Sequence, residues 1–217
     1  MFFVIDWIDW SWKWTQLNLV KEALEEAWKT VCVFDYPRYW MPHSYYVEKY
    51  LNWWYWSELS AKMWSLFYAL DRFDESNDIK KAIKDYDFVI SNRYVSANII
   101  HQASKIKDDL EFKDFIKWIT DLEYNICKIP MPDKTIFLSV APEISKQLIK
   151  SKEKREYIKS WENMDIHEED DNHLLNAYNR AHMASKELNW NIIDCVSEWK
   201  IKSREDIKNE ILKIVLN

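Results

Sequence analysis

The run Val4-Ile5-Asp6-Trp7-Ile8-Asp9-Trp10-Ser11-Trp12-Lys13-Trp14-Thr15-Gln16 decides the fold of this chain. An apolar stretch from Phe2 to Ile5 leads into it, and a helical pattern from Lys13 to about Ala27 leaves it. With Gly in place of each Trp, the run becomes a phosphate-binding loop between a strand and a helix. Glycines there let successive N–H groups turn inward around phosphate oxygens, with the positive helix end behind them and Lys13 reaching the outer phosphates. Tryptophan cannot serve in this way. Its Cβ stands where positive φ and close backbone approach are needed, and its ring fills the space of the anion.

The composition makes the same point over the whole chain. The 217 residues contain 14 Trp and no Gly, whereas ordinary usage of about 7% puts roughly 15 glycines in a chain of this length. Several Trp positions also read as glycine positions. Trp28 follows a helix and precedes a strand, where a C′ glycine belongs. Trp53, Trp54 and Trp56 cluster in a loop-like stretch, Trp190 lies between a helix and a strand, and Trp199 sits in a turn pattern. A Trp-rich core or membrane belt calls for apolar periodicity, whereas these residues are expected at breaks. The expectation is therefore Gly at all fourteen positions of the cellular polypeptide. A coding sequence read with another genetic code leaves this trace, and so does deliberate replacement.

The length suits a single domain over residues 1–217 with a substantial core. A net charge of −6 argues against nonspecific nucleic-acid binding. Cys32, Cys127 and Cys195 are odd in number and widely spaced, and read as reduced thiols of a cytoplasmic protein. The five histidines show no metal-site spacing, the N-terminus carries no signal-peptide pattern, and no apolar run approaches a membrane span.

Short apolar strands alternate with longer helical patterns, the mark of an α/β fold with a parallel sheet covered on both faces. Five strands are predicted: Phe2 to Ile5, Thr30 to Phe34, Phe88 to Ile90, Thr135 to Leu138 and Asn191 to Asp194. Helices are predicted at Tyr45 to Leu51, Ser57 to Phe73, Asp78 to Lys84, between Val95 and Cys127, at Pro142 to Lys150, Asn172 to Leu188 and Ser203 to Leu216. The strand ends at Asp6, Asp35, Ser91 and Ser139 are expected on one edge, where open α/β sheets bind ligands.

Several motifs follow the loop in order: Asp35-Tyr-Pro-Arg-Tyr39, Leu66-Phe67-Tyr-Ala-Leu-Asp71-Arg72, and Asn92-Arg93-Tyr94 with His101-Gln102. With glycines restored, the chain from Phe2 to about Val215 resembles the thymidylate kinase family. The resemblance implies a P-loop kinase fold with a small lid at about residues 150–170, transfer of the ATP γ-phosphate to dTMP with Mg2+, and a homodimer.

The resemblance also implies roles for individual residues. Trp7, Ile8, Asp9, Trp10, Ser11, Trp12, Lys13, Trp14 and Thr15 form the ATP loop, with Lys13 on the transferring phosphate and Asp9 near the acceptor sugar. Position 14 is not the usual Ser or Thr, so the magnesium ligands are left unassigned. Arg38 and Arg93 match arginines on the acceptor phosphate, Phe67 an aromatic on the thymine, and Arg72 a hydrogen-bonding partner of the base. Tyr94 matches a residue crowding the sugar 2′ position, while Asn98 and Gln102 match contacts to the base edge. Without the motif, Leu66, Phe67 and Leu70 read as helix core. Asn92 replaces an Asp and removes a negative charge beside Arg93. The loop lacks an arginine, so the catalytic cation is expected from the lid, with Arg155 preferred among Lys152, Lys154 and Lys159 for its planar fork. The same four charges also read as a solvated helix face.

Two other readings stay open. One is a nucleoside monophosphate kinase of adenylate-kinase type, because Lys13-Trp14-Thr15-Gln16 becomes Lys-Gly-Thr-Gln on restoration. The other is a non-catalytic protein, if the loop tryptophans are physically present.

Overall fold

A computed structural model describes residues 1–8, 13–39, 41, 45–51, 59–145 and 171–217. The central sheet is β1 (Phe2–Trp7), β2 (Val31–Asp35), β3 (Phe88–Asn92), β4 (Lys134–Ser139) and β5 (Asn191–Asp194), all parallel in the order β2-β3-β1-β4-β5. The helices are α1 (Lys13–Glu26), α2 (Tyr45–Leu51), α3 (Ala61–Asp74), α4 (Ser76–Asp85), α5 (Val95–Ala97), α6 (Asp109–Thr120), α7 (Asp171–Glu187) and α8 (Arg204–Leu216). The end of α5 widens into a π-helical turn, Asn98–Gln102, and α6 continues into another, Asp121–Ile126. A short hairpin, β6 (Val196–Ser197) and β7 (Lys200–Ile201), stands apart from the main sheet and was not predicted as strand.

Side chains of β1 alternate between the two faces, as a strand buried on both sides requires. Phe2 and Val4 join one apolar cluster with Ile79 of α4 and Phe112, Phe115, Ile116 and Ile119 of α6. Phe3, Ile5 and Trp7 join the other, with Leu17, Val20 and Leu24 of α1 and Ile207, Ile211 and Val215 of α8. The recurrence at three- and four-residue steps gives each helix one apolar stripe, and the stripe fixes which side meets the sheet. Side-chain caps set the starts of three helices. Ser60 accepts from the Met63 N–H, Asp108 from the Glu111 N–H and Ser203 from the Asp206 N–H.

The chain winds from β1 outward to β2 and returns through β3, then crosses to the other side for β4 and β5. The loop after β1 therefore leaves the sheet where the winding reverses, the usual place for a ligand. The expected helix Pro142 to Lys150 begins as a helical turn over residues 142–145, and its remainder lies outside the described residues. The expected lid at about residues 150–170 lies outside them as well, and α7 begins just beyond that range.

Candidate functional site

At the end of β1, Asp6 is completely buried. Its Oδ1 accepts the Trp7 N–H at 2.9 Å and its Oδ2 the Ser96 hydroxyl at 2.6 Å. Burial pushes the carboxyl up to about 6, against the pull of Arg93, these two hydrogen bonds and the more distant Arg72. Trp7 is 1% exposed, and its indole N–H lacks a partner among the described residues. Leaving such a donor buried and unpaired costs about 1–3 kcal/mol. Ile8 is buried, Trp14 is 51% exposed and Thr15 is half-buried. Asp9, Trp10, Ser11, Trp12 and the Lys13 side chain fall outside the described parts, although the Lys13 backbone opens α1.

Arg93 follows β3 with φ 60°, in the left-handed region. The bend is held at both ends: the Arg93 N–H donates to Ile5 O at 3.1 Å, and the Ser91 hydroxyl donates to Arg93 O at 2.6 Å. Such a backbone costs a residue with a Cβ about 1–2 kcal/mol and persists where its surroundings over-determine it. Its charge attracts both Asp6 and Asp35. The negative charge missing at Asn92 is thus replaced from β2, and Asn92 itself donates its amide to Asp35. Burial raises the Asp35 carboxyl above its ordinary value, with the Asn92 bond and Arg93 acting against the rise.

Arg38, after the cis Tyr36–Pro37 bond, is tied to the C-terminal part of α3. Its Nε donates to Asp71 Oδ1 at 2.9 Å, and its Nη2 to Asp71 O at 2.7 Å and Asp74 Oδ2 at 3.1 Å. Nη1 lies 3.3 Å from Glu75, and the Arg38 backbone N–H also donates to Asp71, at 3.0 Å. Burial works against the charge, yet these carboxylates raise the guanidinium pKa above its ordinary value. The motif at 35–39 and the motif at 66–72 are thereby joined.

The remaining motif residues meet between α3 and the π-helical turns. Arg72 is 2% exposed and forms a two-armed pair with Glu123, Nε and Nη2 each 2.6 Å from one carboxylate oxygen. Asn98 donates its amide to Ser65 O at 3.1 Å and to Glu123 at 3.2 Å. Phe67 is half-buried, stacked on Tyr46 of α2 at 5.1 Å and edge-on to Trp64 at 5.5 Å. Gln102 is buried, with its Oε1 3.5 Å from Lys105 Nζ. Tyr94 is 1% exposed; its hydroxyl donates to Pro130 O at 3.0 Å and its ring packs edge-on against Phe2. In this structure Tyr94 is a core group. Arg155 lies outside the described residues. Glu123 is not singled out by the sequence, where it is one acid among 36 Asp and Glu.

The tryptophans divide into distinct environments. Trp28 has φ 59° and is 94% exposed. Its N–H donates to Glu25 O, while the next N–H, of Lys29, reaches back to Leu24 O, the paired bonds of a Schellman cap with Trp28 at C′. Glu198 and Trp199, with φ 50° and 62°, form the two-residue turn between β6 and β7, and Trp199 is 89% exposed. Positive φ at both central residues is the I′ geometry, which favours Gly at the second. Trp190 stands between α7 and β5 as expected, although the left-handed residue there is Asn189, φ 53°, and Trp190 packs on apolar neighbours. Elsewhere the expectation of breaks is corrected. Trp64 and Trp118 stand inside α3 and α6, the first only 1% exposed and the second tilted against Phe115. Those two are places where an indole has neighbours to pack on.

The parallel sheet in 2-3-1-4-5 order, with a phosphate-loop pattern leaving its central strand and arginines gathered at the same edge, defines a P-loop kinase fold. A solved structure of thymidylate kinase from Candida albicans superposes with a TM-score of 0.69 at 19% identity, covering 99% of this chain and 90% of that one. Curated thymidylate kinases of two Mycobacterium tuberculosis strains are each 23% identical over 158 residues, 72% of this chain and 73% of theirs. The family model described as thymidylate kinase matches residues 5–203. The chain belongs to the thymidylate kinase family.

Proposed function

We propose that this chain, with Gly in its phosphate loop, transfers the γ-phosphoryl group of ATP to dTMP to give dTDP. The observation that carries the reading is the tie of Arg38 to Asp71, which brings two arginines of the family motifs, Arg38 and Arg72, together at the C-terminal part of α3. Phosphoryl transfer needs alignment and compensation of negative charge more than a covalent catalyst. In this reading Lys13 is assigned to the donor phosphates and Arg38 and Arg93 to the acceptor phosphate, which together would hold an acceptor oxygen in line with the γ-phosphorus. Arg38 then exchanges carboxylate partners for phosphate oxygens. Phe67 covers the base, Arg72, Asn98 and Gln102 read its edge, and Asp9 is the residue assigned to the reaction centre, while Tyr94 supports the site from the core.

The donor set fits magnesium that arrives on ATP. Asp6 is engaged with Trp7 and Ser96, and among the described residues no three His, Cys, Asp or Glu gather as a metal site. Magnesium often keeps phosphate and water ligands with few protein ones, and there it neutralises charge on the phosphates. From the lid, Arg155 supplies the remaining cation to the transferring group. No helix among the described residues is long and apolar enough to cross a membrane, and the three free cysteines fit a cytoplasmic enzyme. A homodimer suits the apolar Met63, Leu70 and Phe73, which are 40%, 53% and 49% exposed on α3.

The test compares synthetic chains carrying Gly or Trp at positions 7, 10, 12 and 14, each offered dTMP, dUMP, AMP and dGMP with ATP. The Gly chain is expected to turn over dTMP best and the Trp chain not at all, because side chains with a Cβ and a ring deny the close backbone approach that the phosphates need. Preference for AMP would move the chain to the adenylate-kinase reading. Equal activity of the two chains would end the glycine argument, and mass spectrometry of the native N-terminal peptide reads the residue directly.

A further inference from the structure

The sequence motifs name Arg72 and Asn98 but say nothing of what holds them. Both converge on Glu123, a carboxylate with no solvent exposure that sits in the π-helical turn after α6. Its two oxygens take Nε and Nη2 of Arg72 at 2.6 Å each, and its Oε1 also takes the Asn98 amide at 3.2 Å. A buried two-armed carboxylate–guanidinium pair is short, planar and directional, so it fixes the plane of Arg72. Two of the three guanidinium nitrogens are engaged with Glu123, and Nη1 is the arm that Glu123 leaves over.

The effect on Asn98 is more specific. Its Nδ2 lies between Ser65 O at 3.1 Å and Glu123 Oε1 at 3.2 Å, two groups that only accept. The amide nitrogen must therefore be on that side, and Oδ1 is left as the outward end, an acceptor. One carboxylate thus sets a donor at Arg72 and an acceptor at Asn98. This is the complement of a pyrimidine whose ring edge offers a carbonyl oxygen next to an N–H, as thymine and uracil do. Cytosine offers an amine next to a bare nitrogen, the reverse at both places.

We propose that Glu123 is a positioning residue that fixes the hydrogen-bond polarity of the base site, and so selects 4-oxo over 4-amino pyrimidine nucleotides. The inference rests on the reading of Arg72 and Asn98 as base contacts. Glu123 touches neither base nor phosphate. It acts through the two side chains it orders, and its removal frees the Asn98 amide to flip and Arg72 to turn.

The experiment uses the full chain in the form that turns over dTMP, comparing dTMP with dCMP. If the unaltered chain does not prefer dTMP to dCMP, the substrate reading fails before any variant is made. Given that preference, Glu123→Gln is expected to reduce the kcat/KM ratio of dTMP to dCMP at least about tenfold, the scale of one misplaced polar contact in a buried site. The loss is expected in KM for the acceptor, with KM for ATP and the far-UV spectrum unchanged. Glu123→Asp keeps the charge with a shorter reach, so it is expected to restore part of the ratio, and it serves alone if the Gln variant does not fold. An unchanged ratio in a folded variant, or a loss shared equally by dTMP, dCMP and ATP, would overturn the proposal. If neither variant folds, Glu123 is a fold determinant only and the proposal is likewise overturned.

Discussion

Trp28 and Trp199 hold left-handed backbone while their rings stand in solvent, at 94% and 89% exposure. Nothing packed against either ring offsets the strain, so Trp28→Gly and Trp199→Gly are each expected to stabilise the chain by about 1 kcal/mol. Trp64→Gly is expected to do the opposite, costing about 3–5 kcal/mol through the cavity left in α3. Urea midpoints at constant m-value separate the two cases, and a stabilising Trp64→Gly would mean that the indole is misfitted there too. Asp6 provides a second residue-scale test. Its folded pKa of about 6 lies above the ordinary carboxyl value of about 3.9. Its contribution to stability is therefore fully present below about pH 4 and lost as pH rises through about 6. Asp6→Asn is expected to remove that part of the pH dependence, on the order of 2–3 kcal/mol between pH 4 and 7. Identical unfolding profiles across this range in both chains would show that Asp6 titrates as an ordinary carboxyl.

At the scale of elements, Arg38 links the segment after β2 to α3 through Asp71, whose side chain is 1% exposed. Removing the guanidinium leaves that carboxylate buried without it, so Arg38→Ala is expected to lower stability by about 2–3 kcal/mol. The same change is expected to raise KM for dTMP on the order of tenfold or more, because the arginine that grips the acceptor phosphate has gone. A stability loss with normal dTMP kinetics would assign Arg38 to architecture alone. The elements themselves were largely legible in the sequence. β5 was predicted at its observed bounds, and α8 begins one residue after the predicted start because Ser203 is its cap. β6 and β7 were missed because two-residue strands carry no period to detect.

For the whole molecule, Met63, Leu70 and Phe73 form an exposed apolar strip on α3, whose other side holds Trp64, Ala69 and Arg72 in the interior. Pairing with a second copy would remove this strip from water. Leu70→Glu is therefore expected to shift a dimer to monomer in sedimentation velocity while the far-UV spectrum is kept. A chain that is monomeric before the substitution would leave the strip without this role.

The sequence by itself determined the alternation of strands and helices, the loop at the switch point, and the order of the nucleotide motifs. These depend on apolar period and local backbone preference, which a few neighbouring residues carry. It also placed Trp28 after a helix and Trp199 in a turn, because a helix end and a tight turn are local. Only the tertiary structure decided which charges meet. Glu123 reaches Arg72 across 51 residues, Ser96 reaches Asp6 across 90, and Asn92 meets Asp35 across 57. It also decided that Trp64 belongs to a packed interior and that Asn189, not Trp190, takes the left-handed turn. Burial and pairing depend on what the rest of the chain brings alongside, and no local pattern encodes it.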